Sequence, residues 1–145
     1  MVGISQCGWR GKYVQMCYHG ILNPNDRDAS DRMTRLWERA SFFMVPSRAE
    51  AFGMSFCEAN AFGLPFITLG TGGSHEILRS GRNGLQATED TIARTAVEAF
   101  QRYSLDESWY CSFCRSSYDE FSQRLNWRVF GEGMRAGLAE AGLLP

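Results

Sequence analysis

Short apolar runs alternate with stretches of helical spacing along the middle of the chain. Residues 42–45 and 65–69 are mainly apolar, which is typical of strands buried on both faces of a parallel sheet. Between them, residues 53–62 are predicted to form a helix that ends at Gly63. A strand, a helix and a second strand in so few residues predict a crossover unit, and hence parallel strands.

The same pattern predicts elements on both sides of this unit. Residues 13–18 are predicted to form a strand, and Asp28 or Ser30 caps a helix that runs to about residue 40. Further helices are expected at residues 74–79, 90–103, 106–124 and 126–141.

Two details of these later helices are specific enough to test. Asp90 is expected to cap the helix that begins there. The last helix contains Gly131, Gly133 and Gly137, each costing up to about 1 kcal/mol relative to Ala. We therefore expect this helix to depend on packing for its stability.

The alternation of strands and helices predicts an α/β fold, with a parallel sheet flanked by helices and a helical C-terminal segment. At 145 residues the chain is long enough to bury a sizeable core, and we expect residues 1–145 to form a single domain. Loops that follow parallel strands converge at the carboxyl ends of those strands, so a ligand is expected at that edge of the sheet.

Composition narrows the function classes. The chain is 44% hydrophobic and 21% charged, without an apolar run of about 18 residues, so no membrane span is expected. With 15 basic and 16 acidic residues, the net charge of −1 argues against general binding of nucleic acid. The five cysteines and the absence of secretory-signal features at the N-terminus favour a cytoplasmic location, and peripheral contact with a membrane stays open.

Cys111 and Cys114 form a C-x-x-C motif, which can be a redox pair or half of a zinc site. The motif lies inside a helical pattern with no second C-x-x-C, and both histidines are far away in sequence. We favour two small buried thiols on a helix, and expect neither a metal nor a cofactor.

Glu50 and Glu58 are the main candidates for chemistry. Glu50 lies in the loop after a predicted strand, and Glu58 lies about two turns into the next helix. Eight residues of helix span roughly 12 Å, comparable to a sugar plus part of a diphosphate. Residues 51–54 open that helix, where free amides and the positive end of the helix dipole favour phosphate oxygens.

A second loop and one arginine extend this candidate site. Gly72 and Gly73 permit close backbone approach, and their amides form a second expected anion nest. Arg48 either steadies a phosphate or solvates its loop, and its neighbours favour the phosphate. His19 and His75 are weaker candidates as catalytic bases.

Each of these signals also has a plainer explanation. A lone Glu at a helix start is more often a surface charge, and a Gly-Gly pair is more often a simple turn. Composition and spacing by themselves indicate only an anion-binding α/β domain.

The run from Ala40 to Thr68, which includes Glu50-Ala-Phe-Gly-Met-Ser-Phe-Cys-Glu58, closely resembles the group 1 glycosyltransferases, sugar-transferase family 4. The resemblance continues through residues 71–78 and 81–85, and reaches back to residues 18–26. It implies the donor-binding C-terminal half of a GT-B fold, with a Rossmann-like parallel sheet, truncated at its N-terminus.

The resemblance also implies an activity, which is retaining transfer of a glycosyl unit from a nucleotide diphosphate sugar to an acceptor, of the hexosyltransferase type. Glu50, at the catalytic position, matches the glutamate beside the donor sugar, and Glu58 matches the one that binds the ribose hydroxyls. Neither is assigned as a nucleophile, because the leaving phosphate is thought to guide the acceptor in this family. Further donor contacts fall on Phe52, Gly53 and Met54 for the sugar and diphosphate, and on Ile21 and Leu22 for the base.

The chain departs from the family pattern in its positive charges. The acceptor-binding half has no counterpart, nor has the turn whose Arg and Lys neutralise the diphosphate, and neither Arg48 nor Arg10 and Lys12 match those positions. Since charge stabilisation is usually the largest catalytic contribution, we expect weak or no turnover unless an N-terminal-domain partner chain completes the enzyme.

Two alternatives remain. One is a non-catalytic nucleotide-sugar-binding or assembly module that pairs with another chain through the last helix, where Trp127, Phe130 and Met134 are expected to be exposed. The other is a nucleotide-sugar epimerase of the same overall fold, which the context of the glutamate pair disfavours.

Overall fold

The computed structural model describes residues 17–144, which fall into two compact units, residues 17–39 and 40–144. Most of the strand predicted at residues 13–18 lies outside the described residues, and Cys17 and Tyr18 are not in a strand. The expectation of a single domain over residues 1–145 stays a prediction.

The first unit contains helix α1 (Arg27–Arg39). It begins earlier than predicted, because the cap is Asp26 and neither Asp28 nor Ser30. The Asp26 carboxylate accepts a hydrogen bond from the Asp28 amide at 3.1 Å, and its carbonyl accepts one from the Ser30 amide at 2.9 Å. Short polar side chains are favoured at this position because they satisfy amides that have no partner inside the helix.

The second unit is built on three parallel strands, β1 (Phe43–Val45), β2 (Phe66–Thr68) and β3 (Gly84–Gln86), in the order β1-β2-β3. Phe66 of β2 is aligned with Phe43 of β1 and with Gly84 of β3. Every residue of β2 is buried, as its apolar run predicts. The same prediction is wrong for β1, which lies at one end of the described sheet and leaves Met44 half exposed.

Five helices complete the described part of this unit: α2 (Met54–Ala61), α3 (Ser74–Ile77), α4 (Ile92–Leu105), α5 (Glu107–Gln123) and α6 (Trp127–Glu140). The prediction that Gly63 follows the end of α2 is confirmed, since Gly63 has φ +66° and its amide bonds the Asn60 carbonyl. Asp106 caps α5, with its side chain accepting from the Trp109 amide. The predicted cap Asp90 is wrong, because Thr91 occupies the cap position of α4.

The core packs α2 and α3 against the sheet. Phe56, Phe66 and Ile77 form its buried centre. Beside them, Asn60 and Asn83 are fully buried and join α2 to the turn before β3, with the Asn83 side-chain amide donating to Asn60 Oδ1 at 2.8 Å. A buried amide pair is tolerated here because both side chains also bond backbone groups.

Glu120 connects α5 to α3. Its buried carboxylate accepts from Arg79, Arg82 and Arg124 at 3.1, 2.7 and 3.0 Å. Arg124 also donates to the carbonyls of Glu76 and Ile77 at the end of α3. The short helix α3 is therefore held in place from α5.

Helix α6 does not behave as expected. None of its residues is buried, and a Cβ added to Gly131, Gly133 or Gly137 would meet nothing within 4 Å. The packing that its glycines led us to expect is absent among the described residues. Across residues 17–144, no helix is long and apolar enough to cross a membrane.

Candidate functional site

The loops that follow β1 and β2 meet at the carboxyl edge of the sheet, where a ligand was expected. The Thr71 hydroxyl donates to the Ser47 carbonyl at 2.7 Å. The Gly73 amide donates to the Glu50 carbonyl at 3.0 Å. These main-chain contacts fix the loop that carries Glu50 beside the glycine-rich loop, as the order of the motifs predicts.

Gly72 and Gly73 make the close backbone approach that was predicted for them, and their contact with a donor stays a prediction. A Cβ at Gly72 would overlap the Glu50 carbonyl oxygen, and a Cβ at Gly73 would overlap the carbonyl oxygen of Ala51. The amides of Gly73 and Ser74 already donate to Glu50 and Thr71 carbonyls. The two glycines therefore allow the loops to touch, and the amides of Gly73 and Ser74 are not free to form a second anion nest.

The start of α2 does present donors. Gly53 precedes the helix with φ +89°, and a Cβ there would lie 2.7 Å from the ring of buried Phe56. In the part of the chain that the structure describes, the amides of Met54 and Ser55 make no hydrogen bond. Phe52 and Met54 have exposed side chains on either side of Gly53. The helix start thus offers unpaired N–H groups bordered by apolar side chains, an arrangement suited to an anion attached to an organic group.

Glu50 and Glu58 flank this helix start along the chain. Glu50 is half-buried in the loop and Glu58 is exposed on α2. Neither carboxylate has a hydrogen-bond or ion-pair partner among residues 17–144. An unpaired carboxylate is an acceptor for hydroxyl groups, so both remain available to a ligand rich in hydroxyls.

Arg48 is already paired. Its Nε and Nη2 atoms donate to the two carboxylate oxygens of Glu89 at 3.0 and 2.8 Å. Sequence reasoning missed Glu89, which is 41 residues away and lies in the loop after β3. The available signal was general: loops after parallel strands converge at one edge, but no motif identifies which side chains meet there.

Three further candidates lie in the first unit, and one lies on α3. Ile21, Leu22 and His19 belong to the unit of residues 17–39, and His19 Nδ1 lies 3.3 Å from an Arg32 guanidinium nitrogen. Ile21 is exposed and Leu22 is half-buried. Their predicted contact with the base stays a prediction. His75 is exposed on α3.

The two cysteines of the C-x-x-C motif lie on α5, as predicted, but they are not both buried. Cys111 is exposed and Cys114 is half-buried. Burial raises the pKa of the Cys114 thiol, which disfavours the reactive thiolate. Within the described residues, no group of three or more His, Cys, Asp and Glu side chains could hold a metal ion.

Comparison with known proteins identifies the family. Residues 18–104 match the family described as Glycosyl transferases group 1. The chain belongs to this family. It is 30% identical over 112 residues to an uncharacterized glycosyltransferase of Methanocaldococcus jannaschii, covering 75% of this chain and 30% of that protein.

Other group 1 relatives are sucrose synthases. The chain is 26% identical over 98 residues to the sucrose synthase of Denitrovibrio acetiphilus, covering 66% of this chain and 12% of the relative. It is 29% identical over 93 residues to sucrose synthase 1 of Hordeum vulgare, covering 62% of this chain and 12% of that protein. This group 1 glycosyltransferase chain thus spans less than a third of the length of these relatives.

A solved structure shares the fold. The crystal structure of HepE from Anabaena in complex with UDP superposes with a TM-score of 0.63 at 20% identity, covering 73% of this chain and 29% of that one. The predicted α/β fold, a Rossmann-like parallel sheet flanked by helices, is confirmed.

Proposed function

We propose that the domain binds a nucleotide diphosphate sugar and takes part in transfer of its glycosyl unit, with retention, to an acceptor. The observation that carries this proposal is the contact between the two loops at the carboxyl edge, which holds Glu50 beside the start of α2. Family membership and the UDP complex of the structurally similar HepE support it.

Each group at the edge has a proposed role. The diphosphate lies against the amides of Met54 and Ser55, because the start of a helix attracts anions. Glu58 accepts hydrogen bonds from the ribose hydroxyls, and Glu50 accepts them from the sugar. The absence of protein partners on both carboxylates among the described residues supports these roles, since no internal bond must be broken first.

Turnover needs more than these residues. Stabilising the charge on a departing diphosphate is usually the largest catalytic contribution, and the family's Arg and Lys for this task have no match in the sequence. We therefore propose that the 145-residue chain alone binds donor but transfers sugar weakly or not at all, and that a partner domain supplies the missing cations. Efficient transfer by the purified chain would overturn this part.

Calorimetric titration with UDP and a panel of UDP- and GDP-sugars tests the binding proposal. Hydrogen bonds to a charged group are worth about 1.5–3 kcal/mol, so Glu58→Ala is expected to weaken nucleotide binding roughly 10- to 100-fold. Glu140→Ala, at an exposed glutamate near the end of α6, is the matched control and is expected to leave affinity unchanged. Equal binding by Glu58→Ala and wild type would remove the ribose assignment.

One observation favours a second function, a non-catalytic assembly module. The side chains of Trp127, Phe130 and Met134 are 71%, 58% and 51% exposed on α6. Contiguous apolar surface of this kind often marks an interface. Size-exclusion chromatography with light scattering separates the two ideas, since a strict monomer that turns over donor without a partner contradicts the assembly role.

A further inference from the structure

The ion pair of Arg48 with Glu89 connects the loops after β1 and β3, the two strands that lie on either side of β2. Between them runs the loop after β2. On one side of that loop, the Ser47 carbonyl accepts a hydrogen bond from the Thr71 hydroxyl. On the other side, the Gln86 side chain lies against Gly70, and a Cβ added to Gly70 would be 2.6 Å from the side-chain amide nitrogen of Gln86. The pair thus joins the outer two of the three loops at the proposed donor edge.

We propose that the phosphates of the donor displace Glu89 from Arg48. This inference rests on the proposed function, because it requires a nucleotide diphosphate at that edge. Arg48 precedes Glu50 by two residues, so their Cα atoms are at most about 7 Å apart, within the reach of an arginine side chain. Glu89 is then paired with Arg48 only while the site holds no donor.

The geometry of the pair suits such an exchange. Arg48 presents Nε and Nη2 side by side to two carboxylate oxygens. The same planar fork fits two oxygens of a phosphate. The carboxylate of Glu89 therefore marks where an anion is held by Arg48.

The weakness of the exposed ion pair also favours the exchange. The two side chains are 81% and 55% exposed, and pairs this exposed change an equilibrium constant by no more than about fivefold. A diphosphate carries more negative charge than one carboxylate, and the contacts proposed for it at the start of α2 add to its binding. The diphosphate is therefore the stronger partner of Arg48, and it displaces the Glu89 carboxylate.

The test measures UDP affinity by calorimetry for wild type, Glu89→Gln, Asp90→Asn, Arg48→Gln and the double variant Arg48→Gln with Glu89→Gln. Glu89→Gln removes the competitor and is expected to tighten UDP binding about two- to fivefold. Asp90→Asn is the matched control, because Asp90 is exposed, adjacent, and has no ion pair among residues 17–144. Asp90→Asn is expected to change UDP affinity by less than about half as much as Glu89→Gln does.

The double variant separates exchange from a general charge effect. If Glu89 acts through Arg48, Glu89→Gln has no effect when Arg48 is already replaced, and Arg48→Gln alone weakens UDP binding. Equal tightening by Glu89→Gln and Asp90→Asn overturns the exchange. Tightening by Glu89→Gln that persists in the Arg48→Gln background overturns it as well.

The two proposals fail in different ways. If wild type binds UDP and Glu58→Ala weakens it, but Glu89→Gln leaves the affinity unchanged or lower, only the exchange is overturned. If wild type binds neither UDP nor any of the UDP- and GDP-sugars, both fall. Circular dichroism of every variant confirms that affinities are compared between folded proteins.

Discussion

At the scale of single residues, the contact between Gly72 and Glu50 is the tightest requirement at the proposed site. Gly72 has φ +55°, a conformation that strains any other residue, and a Cβ there would overlap the Glu50 carbonyl oxygen. Both the local conformation and the space select glycine. The sequence motif locates this glycine, but only the packing of the two loops explains it.

Gly72→Ala is expected to lower the free energy of unfolding by more than 2 kcal/mol, since the left-handed conformation costs about 1–2 kcal/mol and the overlap adds to it. Urea denaturation measures the change. Gly81→Ala is the control, because Gly81 has φ +79° with nothing within 4 Å of an added Cβ. Equal losses in the two variants would show that the overlap with Glu50 relaxes without cost.

Residue patterns locate candidate side chains better than they locate the partners of those side chains. Glu50, Glu58 and the start of α2 could be picked out from spacing, because each is set by position along one loop and one helix. The partner of Arg48 could not, since Glu89 reaches it only through the register of the sheet. The same is true of Asn60 and Asn83, whose side chains meet across 23 residues of sequence.

At the scale of elements, Glu120 holds α5 to α3 through three arginines. A buried carboxylate needs this many partners because its desolvation is costly unless it is fully bonded. Removing it leaves Arg124, which is only 30% exposed, without its charge partner. The Arg124 guanidinium would then keep, among the described residues, its bonds to the Glu76 and Ile77 carbonyls at the end of α3.

Glu120→Ala is therefore expected to lower the free energy of unfolding by about 1.5–3 kcal/mol, because the arginines it leaves unpaired are partly exposed. Glu132→Ala breaks the exposed i,i+4 pair with Arg128 and is expected to change it by less than about 1 kcal/mol. Thermal and urea unfolding followed by circular dichroism give both values. A loss at Glu120 no larger than that at Glu132 would contradict the buried-pair account.

The cap of α5 gives a pH prediction. Hydrogen bonds from the Trp109 amide, then from the Ser108 hydroxyl, hold the pKa of Asp106 below its ordinary value. A carboxyl whose pKa is lower in the folded state contributes stability above the unfolded pKa of about 3.9, and this is lost as pH falls through the folded value. The free energy of unfolding of wild type should fall more steeply below about pH 4 than that of Asp106→Asn. The asparagine keeps a capping oxygen but does not titrate. Parallel pH profiles for the two proteins would contradict this.

Helix boundaries show what local sequence can and cannot specify. Asp106 and Asn126 were predicted at their helix starts and their side chains bond the amides of Trp109 and Val129. Asp90 was predicted by the same rule and is wrong, because Thr91 occupies the cap position and α4 begins one residue later than predicted. Where several short polar residues are adjacent, the local rule does not choose among them.

At the scale of the whole molecule, the apolar surface of α6 is the feature that the described fold does not use. The exposure predicted for Trp127, Phe130 and Met134 is confirmed, and every residue of the helix is at least partly exposed. Sequence predicts that this segment is helical because its period and caps are local. What covers it depends on contacts outside the helix, which periodicity does not encode.

Replacing Trp127 and Phe130 by Ser is expected to change the free energy of unfolding of the monomer by less than about 1 kcal/mol, because exposed side chains lose little on removal. Urea denaturation at low protein concentration measures it. A loss of several kcal/mol would mean that these side chains are buried in solution.

The loops at the carboxyl edge are joined to each other by main-chain atoms, through Glu50 to Gly73 and Ser47 to Thr71. Side chains between these contacts contribute little to holding the loops together, and those of Phe52 and Met54 are exposed to solvent. The edge is accordingly a scaffold for directed evolution. Randomising positions 52 and 54 in a selection for altered sugar preference would sample new recognition surfaces on an unchanged backbone.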